Sequence, residues 1–549
     1  MELPRLPPRP KKYANVYVWT FANFSETMPH PVSPMGWSLM ESGLRIFMRP
    51  LRLANDAGYT LFEFLYGRVF WNLTPVFGSR LMFSMLDREL EMIAPSIRGT
   101  MKEILRKGRV RPRPIYTLPQ KVVLGLQAAL LIPRIAMHAL WSALKPGGVE
   151  RELDRLEAEL RSRASPPDSD WRSSVRELDR YVAWAFGNLK RRYGPAGILF
   201  MGVTGFFASV AGFLMKSRNA NDLLDLLAPS RPSKTVEADL ALWELSQKPL
   251  APDAPEFLAY LDRYGHRCPG EQDAYHPRPW DDPARAFARL QSAGGPSPAE
   301  RFARQSQKQR DAAAARLKSL DPVRRLFARP LHRAASRYLP IREDGKHYVM
   351  LILGHSRRRL AAIGRGMRAE GVVADADDVF FLKLPELVRL ARRDENVRER
   401  IAERREEFVK YRDVRPPLIV TSEGIPEAPP APPLRGDGVS PGIAKGRVRV
   451  VLDPTRDGKM EPGEILVAPF TDPGWTPLFL RAAAVVTEVG GALSHGAVVA
   501  REFGLPAVVN VMDATKLLRT GETIEVDGSS GVVLRVEPIN SSKLAKGGP

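Results

Sequence analysis

The sequence predicts a multidomain protein in which a large, mainly α-helical domain is followed by a small α/β domain. Its 549 residues exceed a single domain, because one domain usually takes roughly 100–200 residues. Helical periodicity dominates residues 1–415, whereas short β-rich runs separated by turns dominate residues 435–538. The composition, 44% hydrophobic and 26% charged, excludes a disordered chain or a collagen-like repeat.

Amphipathic stretches predict the helices of the first domain. Residues 149–163 place four apolar side chains at helical spacing, and residues 174–193 repeat this pattern. Residues 347–371 predict a longer helix that ends at Gly371, because glycine readily adopts the left-handed conformation that ends many helices. Residues 377–393 predict a short strand followed by a helix.

A proline-rich segment separates the two domains. Residues 416–434 contain seven prolines, which favour an extended, semi-rigid spacer. A surface loop without a mechanical role is the alternative. In residues 435–538, β-rich runs surround one clear helix at 494–504, which Gly504 ends. Residues 539–549 are expected to form a flexible tail.

The charge and cysteine content narrow the functional classes. The net charge is +20, and residues 434–549 hold equal numbers of acidic and basic side chains, so the excess lies in the helical part. Such an excess could favour a nucleic acid, a membrane surface or a polyanionic ligand. The basic residues are dispersed without zinc-finger or basic-zipper spacing, so we expect solvated helix faces and no nucleic acid partner. One cysteine, Cys268, excludes an intrachain disulfide and a cysteine-rich zinc site. We expect a cytoplasmic location, which this cysteine count fits, although an exported protein without disulfides would have the same count.

One segment raises the question of a membrane. Residues 196–215 carry no charge over a length that is sufficient to cross a bilayer, but they include four glycines. A buried helix in a large helical domain has the same composition. We expect a buried helix, and membrane contact is the less favoured alternative.

The clearest chemical motif lies at residues 487–506. A strand ends at Thr487, Gly490 and Gly491 follow, and Ser494 is a natural N-cap that places His495 at the first helical position. Glycine-rich backbone and a helix N-terminus favour a phosphoryl group through their N–H groups. A histidine there is a nucleophile that can carry phosphoryl as a phosphoramidate.

Two further interpretations of this motif stay open. Arg501 lies six residues beyond the histidine and could help to neutralise the phosphate, although the helical twist makes its direction uncertain. A helix cap beside an ordinary histidine is the alternative interpretation of the whole motif.

The C-terminal domain resembles the phosphohistidine swivelling domain of the phosphoenolpyruvate (PEP)-utilising enzymes. Four ordered segments carry the resemblance: GDGVSPGIAKGRVRVV (436–451), APFTDPGWTPLF (468–479), TEVGGALSHGAVVAREFGLPAVV (487–509) and GETIEVDGSSGVV (521–533). Upstream segments, among them YGHRCPGEQDAYHPRPWDDP (264–283), resemble the rifampin (rifampicin) phosphotransferase branch of that family. The resemblance implies that His495 is the phosphorylated residue.

The resemblance also implies the partners. Members of this type bind ATP in an ATP-grasp domain, for which residues 1–20 have no room and the chain shows no glycine-rich phosphate loop. We therefore expect no cofactor bound by this chain alone, no metal site of its own, and ATP with Mg²⁺ supplied through a separate ATP-grasp protein. The histidine would then carry phosphoryl to a hydroxyl of a small-molecule acceptor bound by the helical domain.

The acceptor site is expected at the polar turn YGHRCPGEQD, whose candidate residues are His266, Arg267, Glu271 and Asp273, together with His347. Arg267 would hold a phosphoryl oxygen, and Glu271 or His266 would take the hydroxyl proton. The alternative is that these groups only tie helices together. Weaker candidates for the same cleft are Asn23, Glu26, Arg342 and Glu343, and Cys268 is expected to be a packing residue.

Two functional classes follow from these observations. The first is a phosphotransferase component that works with an ATP-grasp partner. The second is a non-catalytic or regulatory protein that keeps the fold and binds a ligand only. The intact motif around His495 favours the first.

Overall fold

The structure is a computed structural model of the chain. It describes residues 17–21, 28–48, 62–74, 87, 95–106, 148–164, 170–215, 231–290, 297–393, 395–412, 414, 416–425, 434–454, 457, 460–472, 475–492 and 494–536. The predicted tail, Asn23, Glu26 and the side chains of Arg342 and Glu343 lie outside the described residues, as do the side chains of residues 194–215.

Helices dominate the chain before residue 411. Their bounds are α1 Pro34–Met48, α2 Pro95–Arg106, α3 Gly148–Ser162, α4 Trp171–Met215, α5 Lys234–Ser246, α6 Pro255–Tyr264, α7 Pro283–Leu290, α8 Pro298–Lys318, α9 Pro322–Ala369, α10 Leu384–Leu390 and α11 Arg398–Lys410. The C-terminal part adds α12 Thr476–Phe479, α13 His495–Phe503 and α14 Ala514–Leu517. This content confirms a multidomain, largely helical chain.

The strands in the described part of the chain form two sheets. Their bounds are β1 Val18–Thr20, β2 Phe62–Leu65, β3 Arg68–Asn72, β4 Ile419–Thr421, β5 Asp437–Ser440, β6 Ile443–Val450, β7 Ile465–Ala468, β8 Ala484–Thr487, β9 Ala507–Val509, β10 Thr523–Asp527 and β11 Val532–Arg535. The first sheet has the order β2-β3-β1-β4, and the second has the order β11-β10-β6-β7-β8-β9-β5. The second sheet is mixed, because β6 to β9 run parallel and the outer strands run antiparallel.

Two long antiparallel helices form the centre of the helical part. The helices α4 and α9 pack through glycines: Tyr193 lies against Gly345, and Trp171 lies against Gly366. The core around them buries the apolar face predicted for residues 149–163, including Leu153 and Leu160. The helix α9 ends as predicted, since Gly371 has φ +70°.

Two segments differ from the sequence predictions. Residues 376–381 form a 3-10 helix and not a strand, because the Asp375 and Asp378 side chains cap its first turn through reciprocal bonds to the backbone. Within the predicted spacer, Ile419–Thr421 forms β4, which pairs antiparallel with β1. The first part of the proline-rich segment is therefore fixed to the N-terminal sheet, and residues 426–433 lie outside the described residues.

The C-terminal α/β unit lies directly against the helical part. Its apolar core includes Val236 of α5, and Trp243 of α5 and Phe302 of α8 pack against that core. The side chain of Gln305 on α8 lies against Gly504 at the end of α13. The two predicted domains are thus in contact in this structure. Among the residues that the structure describes, no helix is long and apolar enough to cross a membrane.

Candidate functional site

The histidine of the motif occupies the first position of helix α13. Ser494 is the N-cap, and its Oγ accepts the N–H of Ala497 at 3.1 Å. The Ser494 N–H donates to Gly491 O at 2.9 Å, which closes the glycine turn onto the helix. His495 is 7% exposed, so solvent barely reaches its ring in this arrangement. The sequence prediction for the helix start and for its Gly504 end is confirmed.

Two side chains hold the glycine turn in place. Gly490 donates its N–H to Asn510 Oδ1 at 3.1 Å, and Asn510 Nδ2 donates to Asp437 Oδ2 at 2.7 Å. Asn510 has φ +59°, a conformation that asparagine tolerates better than most residues. Burial raises the pKa of Asp437. Gly490 has φ +156°, and a Cβ there would lie 3.1 Å from the Val509 side chain, so this position favours glycine.

Two other residues of the predicted phosphoryl cradle bond to the backbone. Thr487 Oγ1 donates to Val489 O at 2.9 Å. Arg501 donates to Val439 O at 2.8 Å and also to Ala492 O. Arg501 thereby ties the motif loop to β5. Its proposed contact with phosphate stays a prediction.

A threonine that the sequence analysis did not select lies beside the helix start. A Cβ built on Gly496 would lie 2.3 Å from Thr471 Oγ1, so this hydroxyl faces the first turn of α13 next to His495. Thr471 is buried. Its position within APFTDPGWTPLF was the signal that could have identified it, because that segment carried part of the resemblance.

The neighbouring residue connects the motif to the helical part. Asp472 Oδ2 accepts the N–H of Gly270 at 3.1 Å, and Gly270 lies in the polar turn predicted as the acceptor site. Phe470 meets the ring of His30 edge-on at a centroid distance of 5.5 Å. The loop that flanks His495 therefore touches the predicted acceptor turn, although the two segments are about 200 residues apart.

The polar turn is a network of buried charges. Arg267 Nε donates to Glu271 Oε2 at 2.7 Å, and Arg267 Nη1 donates to Thr235 Oγ1 at 3.1 Å. Glu271 also accepts the N–H of Cys268. Burial raises the pKa of the Cys268 thiol, which accepts a bond from Arg278 and packs in the core of the turn.

Asp273 has a different environment. Its carboxylate accepts the N–H and the hydroxyl of Ser33 and the N–H of Tyr275. These bonds attach the turn to the start of α1. The described contacts of Asp273 are those of a residue that joins two segments, and its role toward the acceptor stays a prediction.

The remaining two candidates touch each other. His266 Nε2 and His347 Nδ1 lie 3.3 Å apart, and both side chains are fully buried. Burial lowers the pKa of His347 to about 4 and that of His266 well below its usual value. Glu157 of α3 lies behind them, with Oε1 3.7 Å from His347 Nε2. The sequence analysis did not select Glu157 as a candidate site residue, because no local motif surrounds it.

Within the described ranges, no group of three or more His, Cys, Asp or Glu side chains is arranged to hold a metal ion.

Two segments of the chain match models of known protein families. Residues 460–531 match the family model of the PEP-utilising enzyme mobile domain. Residues 249–343, which include the polar turn, match the family model of the rifampicin phosphotransferase fourth domain. The chain resembles rifampicin phosphotransferases. The His495 motif and the polar turn, which the sequence analysis selected, thus lie in the segments that match these two family models. This confirms the resemblance.

Individual relatives show the same pattern. A rifampicin phosphotransferase of a Streptomyces species is 38% identical over 319 residues, which cover 54% of this chain and 36% of that protein. The rifampicin phosphotransferase of Streptomyces sviceus is 27% identical over 561 residues, covering 94% of this chain and 62% of that protein. A prodigiosin synthesizing transferase of Serratia marcescens is 36% identical over 191 residues, covering 32% and 21%. The chain thus spans less than two thirds of these relatives.

Proposed function

We propose that the protein is a phosphotransferase component that carries a phosphoryl group on His495 and delivers it to a hydroxyl of a small molecule. The phosphoryl group comes from ATP, with Mg²⁺, bound by a separate ATP-grasp protein. The acceptor binds at the polar turn of residues 264–273. The observation that carries this proposal is the contact between the His495 loop and that turn, through Asp472 and Gly270.

The start of helix α13 supports the loading of phosphoryl onto His495. The N–H groups at the beginning of α13 and the partial positive charge of the helix N-terminus favour a phosphoryl group on the His495 ring. The Thr471 hydroxyl lies beside the same turn and is placed to donate a hydrogen bond to a phosphoryl oxygen. These groups lower the energy of the phosphorylated state without any metal held by this chain.

Burial of the histidine supports a moving carrier. At 7% exposure, His495 cannot receive phosphoryl from a nucleotide on another protein while the C-terminal unit stays in this position. Loading therefore requires a movement that exposes His495, and we propose that the C-terminal unit leaves the helical part for loading and returns to it for delivery. Residues 426–433, which join β4 to the C-terminal unit, include five of the seven prolines of the spacer and fit such a tether.

Delivery is a transfer between two nucleophiles. The acceptor oxygen forms a bond to phosphorus as the bond between phosphorus and the His495 nitrogen breaks, and the hydroxyl proton passes to a base. The buried Arg267–Glu271 pair lies in the turn, where Arg267 is suited to hold a phosphoryl oxygen. Family resemblance implies that AMP and inorganic phosphate are the other products.

Rifampicin is the first acceptor to test, because two of the relatives described above are rifampicin phosphotransferases. The protein would be incubated with ATP, Mg²⁺, a purified ATP-grasp protein from the same host and rifampicin. We expect a phosphorylated acceptor with the wild-type chain and none with His495→Ala, at equal folding by circular dichroism. Equal product from His495→Ala would refute the proposal. Rifampicin binding without phosphorylation, with the ATP-grasp protein shown to be active, would favour a regulatory protein.

A further inference from the structure

A buried chain of three side chains leads toward the acceptor turn. Glu157 lies on α3, His347 lies on α9, and His266 follows the end of α6. Glu157 Oε1 is 3.7 Å from His347 Nε2, and His347 Nδ1 is 3.3 Å from His266 Nε2. Each group comes from a different element, so the arrangement is a product of tertiary packing.

The charge of Glu157, at one end of this row of three side chains, is fixed. Burial alone would raise the pKa of Glu157, but His347, Lys234 and Arg161 together hold it below its usual value. Arg161 donates twice to Oε1, and Lys234 Nζ lies 3.5 Å from Oε2. Glu157 is therefore a carboxylate, and its oxygen faces one nitrogen of the His347 ring.

The positions of the protons follow from that carboxylate. A carboxylate oxygen opposite a nitrogen lone pair is repelled, so the proton of neutral His347 lies on Nε2. His347 Nδ1 then carries a lone pair and accepts from His266 Nε2–H. The remaining nitrogen, His266 Nδ1, consequently carries a lone pair of its own.

That last nitrogen has no protein partner. Within the part of the chain that the structure describes, His266 Nδ1 is buried and makes no hydrogen bond; His347 Nε2 makes none either, but it has the Glu157 carboxylate at 3.7 Å, whereas no such ion pair faces His266 Nδ1 among the described contacts. A buried nitrogen acceptor without a partner is costly, and it marks a position where a ligand donor would be stabilised. His266 lies four residues before Gly270, the residue that contacts the His495 loop.

We propose that His266 Nδ1 is the base that takes the hydroxyl proton of the acceptor, and that His347 and Glu157 are positioning residues that fix its tautomer. This assignment rests on the proposed function. As the acceptor oxygen bonds to phosphorus, its proton moves to His266 Nδ1. The positive charge formed on the ring is stabilised through His347 by the Glu157 carboxylate, and the His495 nitrogen leaves with the electron pair of the broken bond.

The charged groups around these three side chains have opposite effects on the protonation of His266. Burial is the main cause that disfavours a positive His266, followed by the charges of His347, Arg267, Arg161 and His355, and together they keep the ring neutral before the acceptor arrives. Glu157 is the anion that faces the His347 end of the chain. Neutral rings are what a base requires, because only a ring with a lone pair can take the proton.

Nuclear magnetic resonance tests the tautomer without any acceptor. The full chain would be labelled with ¹⁵N histidine, and the His266 signals would be assigned with His266→Gln. We expect a neutral His266 with its proton on Nε2 in the wild type, and a mixture of tautomers in Glu157→Gln. Glu159→Gln is the matched control, because Glu159 lies on the same helix and bonds to Arg192. A proton on Nδ1 of wild-type His266 would overturn the assignment.

A single-turnover assay tests the base itself. With His495 already labelled, we expect His266→Gln to slow transfer to rifampicin by at least about a hundredfold, since a general base contributes typically 10² to 10⁴. Glu157→Gln should slow transfer less and shift its pH profile, while loading of His495 stays unchanged in both. Unchanged transfer in His266→Gln would refute the base role. Failure of wild-type loading would instead refute the proposed function, and the tautomer measurement would stand separately.

Discussion

The buried histidines of the helical part make its stability sensitive to mild acid. His266, His347 and His355 are at most 1% exposed, and burial lowers the pKa of each, to about 4 for His347 and about 3 for His355. A histidine with a folded pKa below its unfolded value of 6.5 stabilises the fold fully above that value. This contribution is lost as the pH falls through 6.5 toward the folded pKa.

The size of the loss follows from these values. Between about pH 7.5 and about pH 5.5, the unfolded chain takes up most of a proton at each of these histidines and the folded chain takes up almost none. A histidine such as His355, whose folded pKa is about 3, then costs about 1.4 kcal/mol of unfolding free energy.

Urea unfolding at the two pH values measures this loss. The wild type should lose about 1.4 kcal/mol more than His355→Gln on the same change of pH, because the variant lacks this buried histidine. His355→Gln also removes the contact with Tyr181 and is expected to be less stable at both pH values. The comparison therefore uses the pH-dependent difference only. An equal pH-dependent loss in wild type and variant would refute the assignment of a buried neutral His355.

Two further predictions concern packing and the motif loop. Gly345→Ala should destabilise the protein by about 1–3 kcal/mol in urea unfolding, because the new Cβ would lie 2.2 Å from Tyr193 Oη. Gly187→Ala, which has open space on α4, is the control and should be neutral or stabilising. Similar stabilities of the two variants would contradict the helix packing. Asn510→Gly keeps the positive φ but removes the bonds to Gly490 and Asp437, so it should slow the labelling of His495 while the melting temperature stays near that of the wild type. Labelling at the wild-type rate would show that this clamp has no role in catalysis.

Local signals in the sequence were sufficient for the helix that carries His495. Ser494 and Gly504 mark its two ends, and both act through backbone geometry that depends on neighbouring residues only. The segment at 376–381 was predicted wrongly for a related reason. Its apolar residues favour a strand, but the Asp375 and Asp378 caps stabilise a 3-10 turn, and this capping box was overlooked.

The long-range contacts of the site could not be predicted in the same way. The bond between Asp472 and Gly270 and the approach of Glu157 to His347 join residues about 200 positions apart. Such contacts depend on how whole helices pack, and no spacing rule encodes them. Sequence analysis therefore selected the two ends of the proposed transfer, His495 and the polar turn, but not the side chains that connect or orient them.

The central claim is that His495 carries a phosphoryl group. The most direct measurement is incubation of wild type and His495→Ala with β-³²P-ATP, first with the purified chains and then with lysate of the native host or with a purified ATP-grasp protein. We predict label that is labile in acid and stable in base, on the wild type only and only when the second protein is present. No label on the wild type, with an ATP-grasp protein shown to be active, would contradict the account. Equal label on His495→Ala would do the same.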